Sequence, residues 1–394
     1  MKILQLVQSF LPNLGGMEWV VHHLSNELVR RGHEVIVLAA ESPSRRGKEG
    51  LEEFKSLYQF QEYPFGRRFG GALGRNRRAI LSAIARLRRE FKFDLLHAHQ
   101  LYYPGYCAIL DQRKWRYPIT ITDHGQFYCM QRGLDVPSSA VARRRILWAV
   151  QNAPSLTAPG QDAFEELMKH HSAGAPSAAS SRVLCNGVAV PDDDAIEMLR
   201  QGARAPVPTI LMVGRYHRVK GFETGLRALA IMKGRGATAA LHIVGGGLDA
   251  LRPLIAQLRL REDVHLHGPM TGDDLWRRYA DATLFWMTSL AEAMGLTKFE
   301  ALCFGLPCVC NAAAGTRDGI ADGDNGLIFK ENDAEDLANQ TRRLLNDAAM
   351  RERIGASARR SAQQYRWEVV VQEYERHYEE TLAAHCAQDS LQSL

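Results

Sequence analysis

Two glutamates, Glu292 and Glu300, mark the part of the sequence whose residue types and spacing best suit chemistry. Glu292 lies in a loop after the apolar run at 284–287, and Glu300 lies early in a helical segment. A carboxylate accepts hydrogen bonds from two neighbouring hydroxyls, and the free amides at a helix start attract phosphate. One carboxylate could hold a ribose diol and the other a sugar ring, with the amides near Gly295 and Thr297 facing a diphosphate. Two solvated glutamates beside a helix start would give the same pattern.

Two cations, Arg215 and Lys220, follow the apolar run at 209–213. They fall on the loop that joins this predicted strand to the next predicted helix. Cations in that position can neutralise a departing diphosphate without a metal ion. Loop cations are often only solvated charges, so it is the presence of Glu292 and Glu300 in the same half of the chain that favours an anion site.

Glycines follow several of the apolar runs. Gly15 and Gly16 come after the first run, where the lack of side chains lets the backbone approach a phosphate or sugar closely. Gly214 and Gly246 come after two later runs. None of these segments has the Gly-x-Gly-x-x-Gly spacing of a dinucleotide site, so no bound dinucleotide is predicted.

Strand and helix patterns alternate along the chain and must position these loops. Short apolar runs alternate with apolar residues at helical spacing, which predicts strand–helix–strand units with parallel strands. In such sheets the ligand-binding groups lie in the loops at the carboxyl ends of the strands. The predicted strands are 2–7, 34–40, 93–97, 119–122, 156–158, 182–185, 209–213, 241–244, 264–266, 283–287 and 307–310.

A polar, Pro-containing stretch interrupts this alternation, which restarts at residue 209. We therefore predict an α/β protein with two Rossmann-like parallel-sheet domains, which the length of 394 residues accommodates. The predicted parts are an N-terminal domain at 1–190, a linker at 191–208, a C-terminal domain at 209–365, and a helix and tail at 366–394 that return toward the first domain.

The composition argues against several classes of protein. With 46% hydrophobic and 24% charged residues, the chain is typical of globular proteins rather than disordered or fibrous ones. No apolar run approaches the roughly 20 residues of a membrane-spanning helix, and no cleavage site follows the first residues. The seven cysteines are an odd number without a second cluster, which argues against a disulfide framework or a zinc ribbon. We therefore expect a cytoplasmic protein.

No metal site is predicted. His97 and His99 lie two apart at a strand end, where both side chains point the same way, but no third ligand is evident. The acidic run at 192–194 lies in the predicted linker rather than after a buried strand, and a solvated turn is the simpler interpretation.

Charge is divided unevenly along the chain. Residues 1–190 contain 25 Lys and Arg against 16 Asp and Glu, a balance of +9, whereas residues 191–394 contain 24 against 28, or −4. Residues 67–92 hold nine Lys or Arg against one Glu, with apolar residues at helical spacing. Such a helix either lies on an anionic membrane or packs its apolar face into the core. Weak, salt-sensitive membrane binding is predicted, and co-sedimentation with anionic vesicles tests it.

In their joint order and spacing these segments resemble the retaining glycosyltransferases of family 4, which have the GT-B fold of two Rossmann-like domains facing a cleft. The resemblance extends over most of the chain. The matching segments are 15–18, 31–35, 94–99, 122–125, 186–188, 214–221, 244–247, 292–300, 305–307 and 324–327.

The resemblance implies a role for each matched residue, with the acceptor on the N-terminal domain and a nucleotide-sugar on the C-terminal domain. Glu300 would bind the ribose hydroxyls and Glu292 the donor sugar. Arg215 and Lys220 would bind the diphosphate, and His124 would contact the donor sugar or support the developing charge. The other donor-binding residues implied are Gly15, Gly16, Gly214, Gly246, Met294, Gly295, Leu296 and Thr297.

The sequence departs from the family pattern at two places. Met294 stands where the family often has Phe, and the usual Gly-Gly-x-x-Glu stretch is replaced by residues 314–318. Contacts from the second segment to the donor are therefore left open.

The predicted function is that of a retaining, metal-independent hexosyltransferase. It would transfer a sugar from a nucleotide-diphosphate sugar, with UDP favoured over GDP, to a saccharide or lipid-linked acceptor in glycan biosynthesis. No cofactor and no nucleic-acid partner are expected. The alternatives are a nucleotide-sugar epimerase on the same fold and a non-enzymatic anion-binding module.

Overall fold

The computed structural model of this protein describes residues 1–13, 15–42, 54–66, 72–134, 137, 139–172, 180–201, 207–313 and 315–392, with the backbone alone for 72, 73 and 388–392. The chain divides into two compact units. The first consists of Met1–Gly187 together with Trp367–Leu394, and the second of Val188–Arg366.

A parallel sheet forms the centre of the first unit. Its strands are β1 (Lys2–Leu6), β2 (Glu34–Ala40), β3 (Gln59–Tyr63), β4 (Leu95–His99), β5 (Ile119–Thr122), β6 (Leu156–Ala158) and β7 (Arg182–Val183). Its first helices are α1 (Gly16–Arg30), α2 (Ala72–Glu90), α3 (Tyr106–Trp115), α4 (Gln126–Gln131), α5 (Ala140–Asn152) and α6 (Gln161–His170). The strands lie in the order β3-β2-β1-β4-β5-β6-β7, so the order reverses between β1 and β4. Parallel sheets bind ligands beside such a reversal, at the carboxyl ends of the strands.

A second parallel sheet forms the centre of the second unit. Its strands are β8 (Thr209–Val213), β9 (Ala240–Val244), β10 (Val264–His267), β11 (Leu284–Met287), β12 (Cys308–Asn311) and β13 (Gly326–Phe329). Its helices are α7 (Asp193–Arg200), α8 (Phe222–Gly234), α9 (Arg252–Gln257), α10 (Gly272–Asp281), α11 (Leu296–Cys303), α12 (Ala334–Asn346) and α13 (Ala348–Ala362). The order β10-β9-β8-β11-β12-β13 reverses between β8 and β11, and the loops after these strands carry Arg215, Lys220 and Glu292.

The predicted α/β architecture with two parallel-sheet domains is confirmed. Residues 35–40 of β2 are all buried, as expected for a strand covered on both faces of a parallel sheet. In α1 the helical spacing of Val20, Leu24 and Leu28 places all three in the core. In the second unit, helices and strands share one apolar core in which Trp286 is almost fully buried.

The last helix, α14 (Trp367–Gln392), belongs to the first unit. A Cβ atom on Gly187 would lie 2.3 Å from the indole of Trp367, so only a glycine allows this approach. Along its length α14 faces the sheet with polar side chains: the hydroxyl of Tyr378 lies 2.8 Å from Nδ1 of His97, and Nε2 of His377 lies 2.8 Å from the hydroxyl of Thr120.

The predicted linker at 191–208 contains helix α7, which is part of the second unit. The Asp192 carboxylate accepts a hydrogen bond from the amide of Ala195 at 2.8 Å and so caps the helix start. Asp193 forms an ion pair with Arg366 at 2.8 Å. The acidic run therefore begins a helix instead of forming a solvated turn.

Among the described residues, no helix combines the length and the apolarity that crossing a bilayer requires. None of the seven cysteines, all of which lie within the described residues, forms a disulfide bond.

Candidate active site

Backbone contacts between two glycine-containing loops shape the edge of the second sheet. The amide of Gly214 donates to the carbonyl of Val244 at 2.9 Å, and the amide of Tyr216 donates to the carbonyl of Gly246 at 2.7 Å. A Cβ atom on Gly245 would lie 2.0 Å from the Gly214 carbonyl oxygen, so the two loops can approach only because this residue is glycine. Arg215 extends from this edge, is exposed, and has no hydrogen bond or ion pair to any described residue.

Lys220 and Glu292 meet although 72 residues separate them. Lys220 Nζ donates to Glu292 Oε1 at 2.7 Å, and both side chains are partly buried. Gly221 has a φ of +60°, and a Cβ atom there would lie 2.3 Å from the carbonyl oxygen of Thr288. This close approach joins the loop after β8 to the loop after β11. The two charges that were predicted to face the donor are therefore neighbours.

Glu300 accepts a hydrogen bond from the hydroxyl of Tyr279 at 2.6 Å. Burial raises the pKa of Glu300 above its usual value, and the hydrogen bond from Tyr279 offsets only part of this rise. The Tyr279 hydroxyl also lies 3.2 Å from the carbonyl oxygen of Thr297. The phenol thus fixes the glutamate against the first turn of α11, with one carboxylate oxygen left to accept a ligand hydroxyl.

The start of α11 is shaped by Gly295, whose φ of +75° favours glycine. A Cβ atom there would lie 2.7 Å from the Met287 methyl group. Leu296 and Thr297 follow in the first turn, and the Thr297 hydroxyl contacts Met287 Sδ at 3.9 Å. The side chain of Met294 is buried, so only the backbone of this residue is placed to contact a ligand at the helix start.

Two residues of this edge were missed by the sequence reasoning, Tyr279 and Lys298. The ammonium of Lys298 is buried and donates to the carbonyl oxygens of Thr316, at 2.8 Å, and Asp318. Burial lowers its pKa. Lys298 thus ties α11 to the segment in which the sequence departs from the family pattern. The available signal was a lysine next to Phe299 in the first turn of a helix that follows a buried strand; Tyr279 gave none.

The same departing segment contacts Glu292 through its backbone. A Cβ atom on Gly315 would lie 1.8 Å from the Glu292 carbonyl oxygen, and Gly315 has a φ of +71°. The Thr316 hydroxyl donates to the Ser289 carbonyl at 3.0 Å. Residues 315–318 therefore support the Glu292 loop, while Ala314 lies outside the described residues.

In the first unit, Gly15 and Gly16 lie at the start of α1. Gly15 is extended at the cap position, and a Cβ atom on it would lie 2.3 Å from the Glu18 carboxylate. Gly16 is exposed as the first helical residue. The Glu18 carboxylate therefore lies over Gly15, and the exposed residue at this helix start is Gly16.

His124, at the carboxyl end of β5, belongs to a chain of buried polar groups. Its Nε2 lies 2.9 Å from Nδ1 of His99, whose Nε2 lies 2.7 Å from the amide oxygen of Gln5. The Gln5 amide nitrogen is 3.4 Å from the hydroxyl of Tyr378 on α14. Burial lowers the pKa of His124 to about 4 and keeps that of His99 well below its usual value, so both rings are neutral near pH 7.

This chain of contacts fixes which nitrogen of each ring carries the proton. The amide oxygen of Gln5 can only accept, so His99 donates from Nε2. The lone pair on Nδ1 of neutral His99 then accepts the Nε2–H of His124. His124 is left with a lone pair on Nδ1, which can accept a hydrogen bond from a ligand hydroxyl.

The residues weighed as metal ligands are engaged otherwise. His97 contacts Tyr378 at 2.8 Å and the hydroxyl of Thr122 at 2.7 Å. Within the described ranges no group of three or more His, Cys, Asp or Glu could hold a metal ion.

The basic segment at 67–92 becomes helix α2, with residues 67–71 outside the described ranges. Its apolar stripe is buried in the first unit, including Ile80, Ile84 and Leu87. The stripe packs into the core, which was one of the two interpretations, and the exposed face carries arginines.

Two family profiles match the chain, one in each half. Residues 14–190 match Glycosyltransferase Family 4, and residues 196–361 match Glycosyl transferases group 1. A D-inositol 3-phosphate glycosyltransferase of Corynebacterium aurimucosum is 27% identical over 387 residues, which cover 94% of this chain and 92% of the relative. An N-acetyl-alpha-D-glucosaminyl L-malate synthase of Bacillus anthracis is 23% identical over 384 residues, with 94% and 95% covered.

Solved structures share the fold at lower identity. Sucrose-phosphate synthase from Thermosynechococcus elongatus superimposes with a TM-score of 0.78 at 19% identity, covering 98% of this chain and 100% of that chain. Anabaena Alr3699/HepE in complex with UDP and glucose gives a TM-score of 0.76 at 21% identity, covering 96% and 100%.

Proposed function

The chain belongs to the glycosyltransferases of family 4 and has the GT-B fold, and from this premise we propose that it is a retaining, metal-independent enzyme that uses a nucleotide-diphosphate sugar. The acceptor is a saccharide or a lipid-linked glycan. The observation that carries the proposal is the ion pair of Lys220 and Glu292, which joins the loops after β8 and β11 at the order reversal of the second sheet.

Each of these groups suits one part of the donor. Glu300 has one oxygen occupied by Tyr279 and can accept the ribose hydroxyls with the other. Arg215 has no partner among the described residues, which leaves its fork of donors for a diphosphate. Glu292 can accept sugar hydroxyls while it orients Lys220. The first-turn amides of α11, next to Leu296 and Thr297, add positive potential.

In the proposed reaction the bond between the anomeric carbon and the diphosphate oxygen breaks, and the sugar passes through an oxocarbenium-like state. Stabilising the leaving diphosphate is the largest contribution available, and Arg215 and Lys220 supply it. The acceptor hydroxyl attacks from the face that the diphosphate leaves and gives its proton to a leaving phosphate oxygen. The anomeric configuration is thereby retained, and no carboxylate nucleophile is assigned.

In the first unit, we assign to His124 a hydrogen bond from a hydroxyl of the donor sugar. The lone pair on Nδ1 suits that contact, and a neutral ring adds no repulsion to developing positive charge. Gly16 offers exposed backbone for a close approach, and Gly15 precedes it at the cap position of α1.

The names of relatives inform the choice of substrates. Structures of Alr3699/HepE contain UDP and UDP-glucose, which supports a uridine donor. The names D-inositol 3-phosphate glycosyltransferase and L-malate synthase add polyol phosphates and hydroxy acids to the acceptors worth testing. Contact of the basic face of α2 with an anionic membrane stays a prediction that rests on charge alone.

Thermal stabilisation by UDP-, GDP-, ADP- and dTDP-sugars in the presence of a chelator tests the donor site. A ligand at 100 times its dissociation constant adds about 2.7 kcal/mol of stability, which gives a clear rise in Tm. We expect one nucleotide class to stabilise the parent protein and to lose most of this effect in Lys220→Ala.

Arg227→Ala is the matched control, because Arg227 is an exposed cation on the helix that follows the same loop. It should respond to the donor like the parent. If no nucleotide stabilises the parent, or if stabilisation requires added metal, the donor site proposed here is wrong.

A further inference from the structure

A group of cationic and phenolic side chains in the first unit has no role in the donor site. We call it the arginine cluster and define it as Arg77 of α2, Tyr102 after β4, Tyr106 of α3 and Arg145 of α5. The guanidinium of Arg145 lies 5.1 Å from the ring centre of Tyr106. The charge and the position of this group both indicate that it binds a ligand.

Arg145 contains a buried donor without an acceptor. Its Nη1 is shielded from solvent and has no hydrogen-bond partner in the described part of the chain. Leaving a buried donor of a charged group unpaired costs more free energy than leaving a neutral donor unpaired. Native proteins seldom retain such a group without a water or a ligand that satisfies it.

Arg77 provides a second positive charge beside the first. Helix α2, which carries Arg77, packs against α3, which carries Tyr106 and Cys107. Burial raises the pKa of the Cys107 thiol to about 12, and the charges of Arg145 and Arg77 both act to lower it. The acid near this thiol is Asp111, which already pairs with Arg88 at 2.7 Å. Neither Arg77 nor Arg145 forms an ion pair with a described carboxylate. The cluster therefore has a local excess of positive charge.

The loop that carries Tyr102 adjoins the loop that carries His124, because the two loops follow the neighbouring strands β4 and β5. The amide of Tyr102 contacts the side-chain oxygen of Gln126 at 3.3 Å, and Gln126 opens the helix two residues after His124. Burial and Tyr103 raise the pKa of the Tyr102 phenol, and Arg145 acts in the opposite direction, so the phenol and the guanidinium are neighbours.

The backbone between His99 and this cluster is strained. Gln100 and Tyr103 have φ values of +80° and +55°, in the left-handed region that non-glycine residues rarely adopt. The segment Leu101–Gly105 packs against α3 and α5, which hold it in this conformation. Strain of this kind persists where the surrounding structure positions a functional side chain.

We infer that the arginine cluster binds an anionic group of the acceptor, a phosphate or a carboxylate. The fork of Arg145 matches the oxygens of such a group, with Arg77 adding charge and the Tyr102 hydroxyl adding a donor. Bound beside His124, the anion would direct a hydroxyl of the same molecule toward the reacting sugar. The inference rests on the proposed transferase function and adds to it that the acceptor is an anion.

Binding of inorganic phosphate to the full-length protein, followed by calorimetry, tests the site directly. We use the Lys220→Ala background, so that the donor site of the second unit contributes less to the measured phosphate binding. In that background Arg145→Gln should weaken phosphate binding at least tenfold. Arg145→Lys, which keeps the charge but loses the fork, should fall between the two.

Arg144→Gln is the matched control, since Arg144 is the adjacent exposed arginine and the change in net charge is identical. It should bind phosphate as its background does. If Arg145→Gln unfolds, Arg77→Gln replaces it. Equal phosphate affinity in the Arg145 and Arg144 variants, or no phosphate binding in the background, overturns the inference.

Turnover with paired acceptors then connects the cluster to transfer. With the donor found in the nucleotide panel, D-inositol 3-phosphate is compared with inositol, and L-malate with glycerol. We expect the anionic member to be preferred at least tenfold, and Arg145→Gln to remove the preference through KM. Donor binding is measured separately by thermal shift, so a failed donor site and a failed anion site give different results.

Discussion

The carboxyl edges of the two sheets present opposite kinds of chemistry. In the first unit, His124, His99 and Gln5 form a relay of neutral groups, supported from behind by Tyr378. In the second unit the edge is built from charges: Lys220 paired with Glu292, and Glu300 against a phenol. Both edges lie at the order reversal of a parallel sheet, so the same architecture can position neutral groups at one edge and charged groups at the other.

The difference follows from where each set of groups lies. The relay of the first unit runs beneath α14, where an unpaired charge would cost several kcal/mol, and neutral imidazoles avoid that cost. The charges of the second unit lie in loops that keep partial contact with solvent. A diphosphate requires fixed positive charge, whereas a sugar hydroxyl requires an oriented acceptor. We read the two edges as suited to these two tasks.

Acid should destabilise the first unit before the second, and this is the largest effect we expect. A histidine whose pKa is lowered on folding binds its proton only after unfolding, so stability is complete above pH 6.5 and is lost as the pH falls. For a pKa of about 4 the loss reaches about 3 kcal/mol, or about 1.4 kcal/mol per pH unit. The first unit holds six such histidines: His22, His23, His97, His99, His124 and His377.

Hydrogen exchange of the full-length protein, corrected for intrinsic rates, measures each unit separately between about pH 7 and about pH 4.5. Protection of β1, β4 and β5 should fall before that of β8 and β11. Asp123 acts in the opposite sense, since burial raises its pKa to about 6, but it is one group against six. In the second unit the pKa is lowered for His242 and His267, which are less buried. Earlier loss of protection in the second unit contradicts the comparison.

Neutralising the Glu292 carboxylate should weaken recognition of the donor's sugar without weakening recognition of its nucleotide diphosphate. Glu292→Gln removes the charged acceptor for sugar hydroxyls and frees Lys220 from its ion pair. We expect kcat/KM to fall by about 10² to 10³, the loss typical of one preorganised electrostatic contact in a transition state. Binding of the free nucleotide diphosphate should stay equal or become tighter. Steady-state kinetics and thermal shift with the nucleotide measure the two effects.

Glu335→Gln serves as the control, because Glu335 is an exposed acid that pairs with Arg235 on the same unit. It should leave both quantities unchanged. Equal weakening of nucleotide and nucleotide-sugar in Glu292→Gln would mean that this carboxylate organises the whole loop rather than the sugar contact.

The sequence was sufficient for most of the fold. Strands β2, β5, β6 and β8 were predicted with their observed bounds, since buried parallel strands read as short apolar runs. Strand β3 was missed because its residues, Gln59–Tyr63, are mostly polar and it pairs only at an edge. Strand β13, Gly326–Phe329, was not predicted although Leu327, Ile328 and Phe329 form a short apolar run.

The sequence pattern over 356–382 is helical throughout, but the structure interrupts the helix. It is divided into α13 and α14, with the turn Gln363–Tyr365 and a bridge between Val188 and Arg366 at the division. That contact joins residues distant in sequence, so local periodicity could not reveal it. The segment is therefore helical, as its pattern indicates, but it belongs to two helices instead of one.

The candidate site was only partly predictable. Residue types and family resemblance identified Lys220, Glu292, Glu300 and His124, and the order reversal of the second sheet explains why distant loops meet. The supporting groups were not predictable, because each depends on packing. Tyr378 reaches His97 across 281 residues, and only the position of α14 against the sheet makes that contact possible.

Removing the Gln5 amide should break the neutral relay with the smallest effect of the three. Gln5→Leu keeps the volume but leaves the His99 Nε2–H without its acceptor, at a cost of about 1–3 kcal/mol in the free energy of unfolding. His99 is then free to carry its proton on Nδ1 and donate to His124, which moves the second proton to the outward nitrogen of His124. Transfer should fall severalfold in kcat, because the acceptor for the sugar hydroxyl is lost. Urea unfolding and steady-state kinetics measure the two changes.

Two further variants distinguish loss of the hydrogen bond that orients the His99 ring from a general loss of packing. Gln161→Leu makes the same substitution at an exposed glutamine of the first unit and should change stability by less than about 0.5 kcal/mol, with full activity. Gln5→Glu restores an acceptor for His99, and its charge should raise the pKa of the relay, so kcat recovers at high pH and its acid limb moves upward. If Gln5→Leu loses stability but keeps kcat and its pH profile, the relay supports the fold alone and the contrast between a neutral edge and a charged edge has no catalytic meaning.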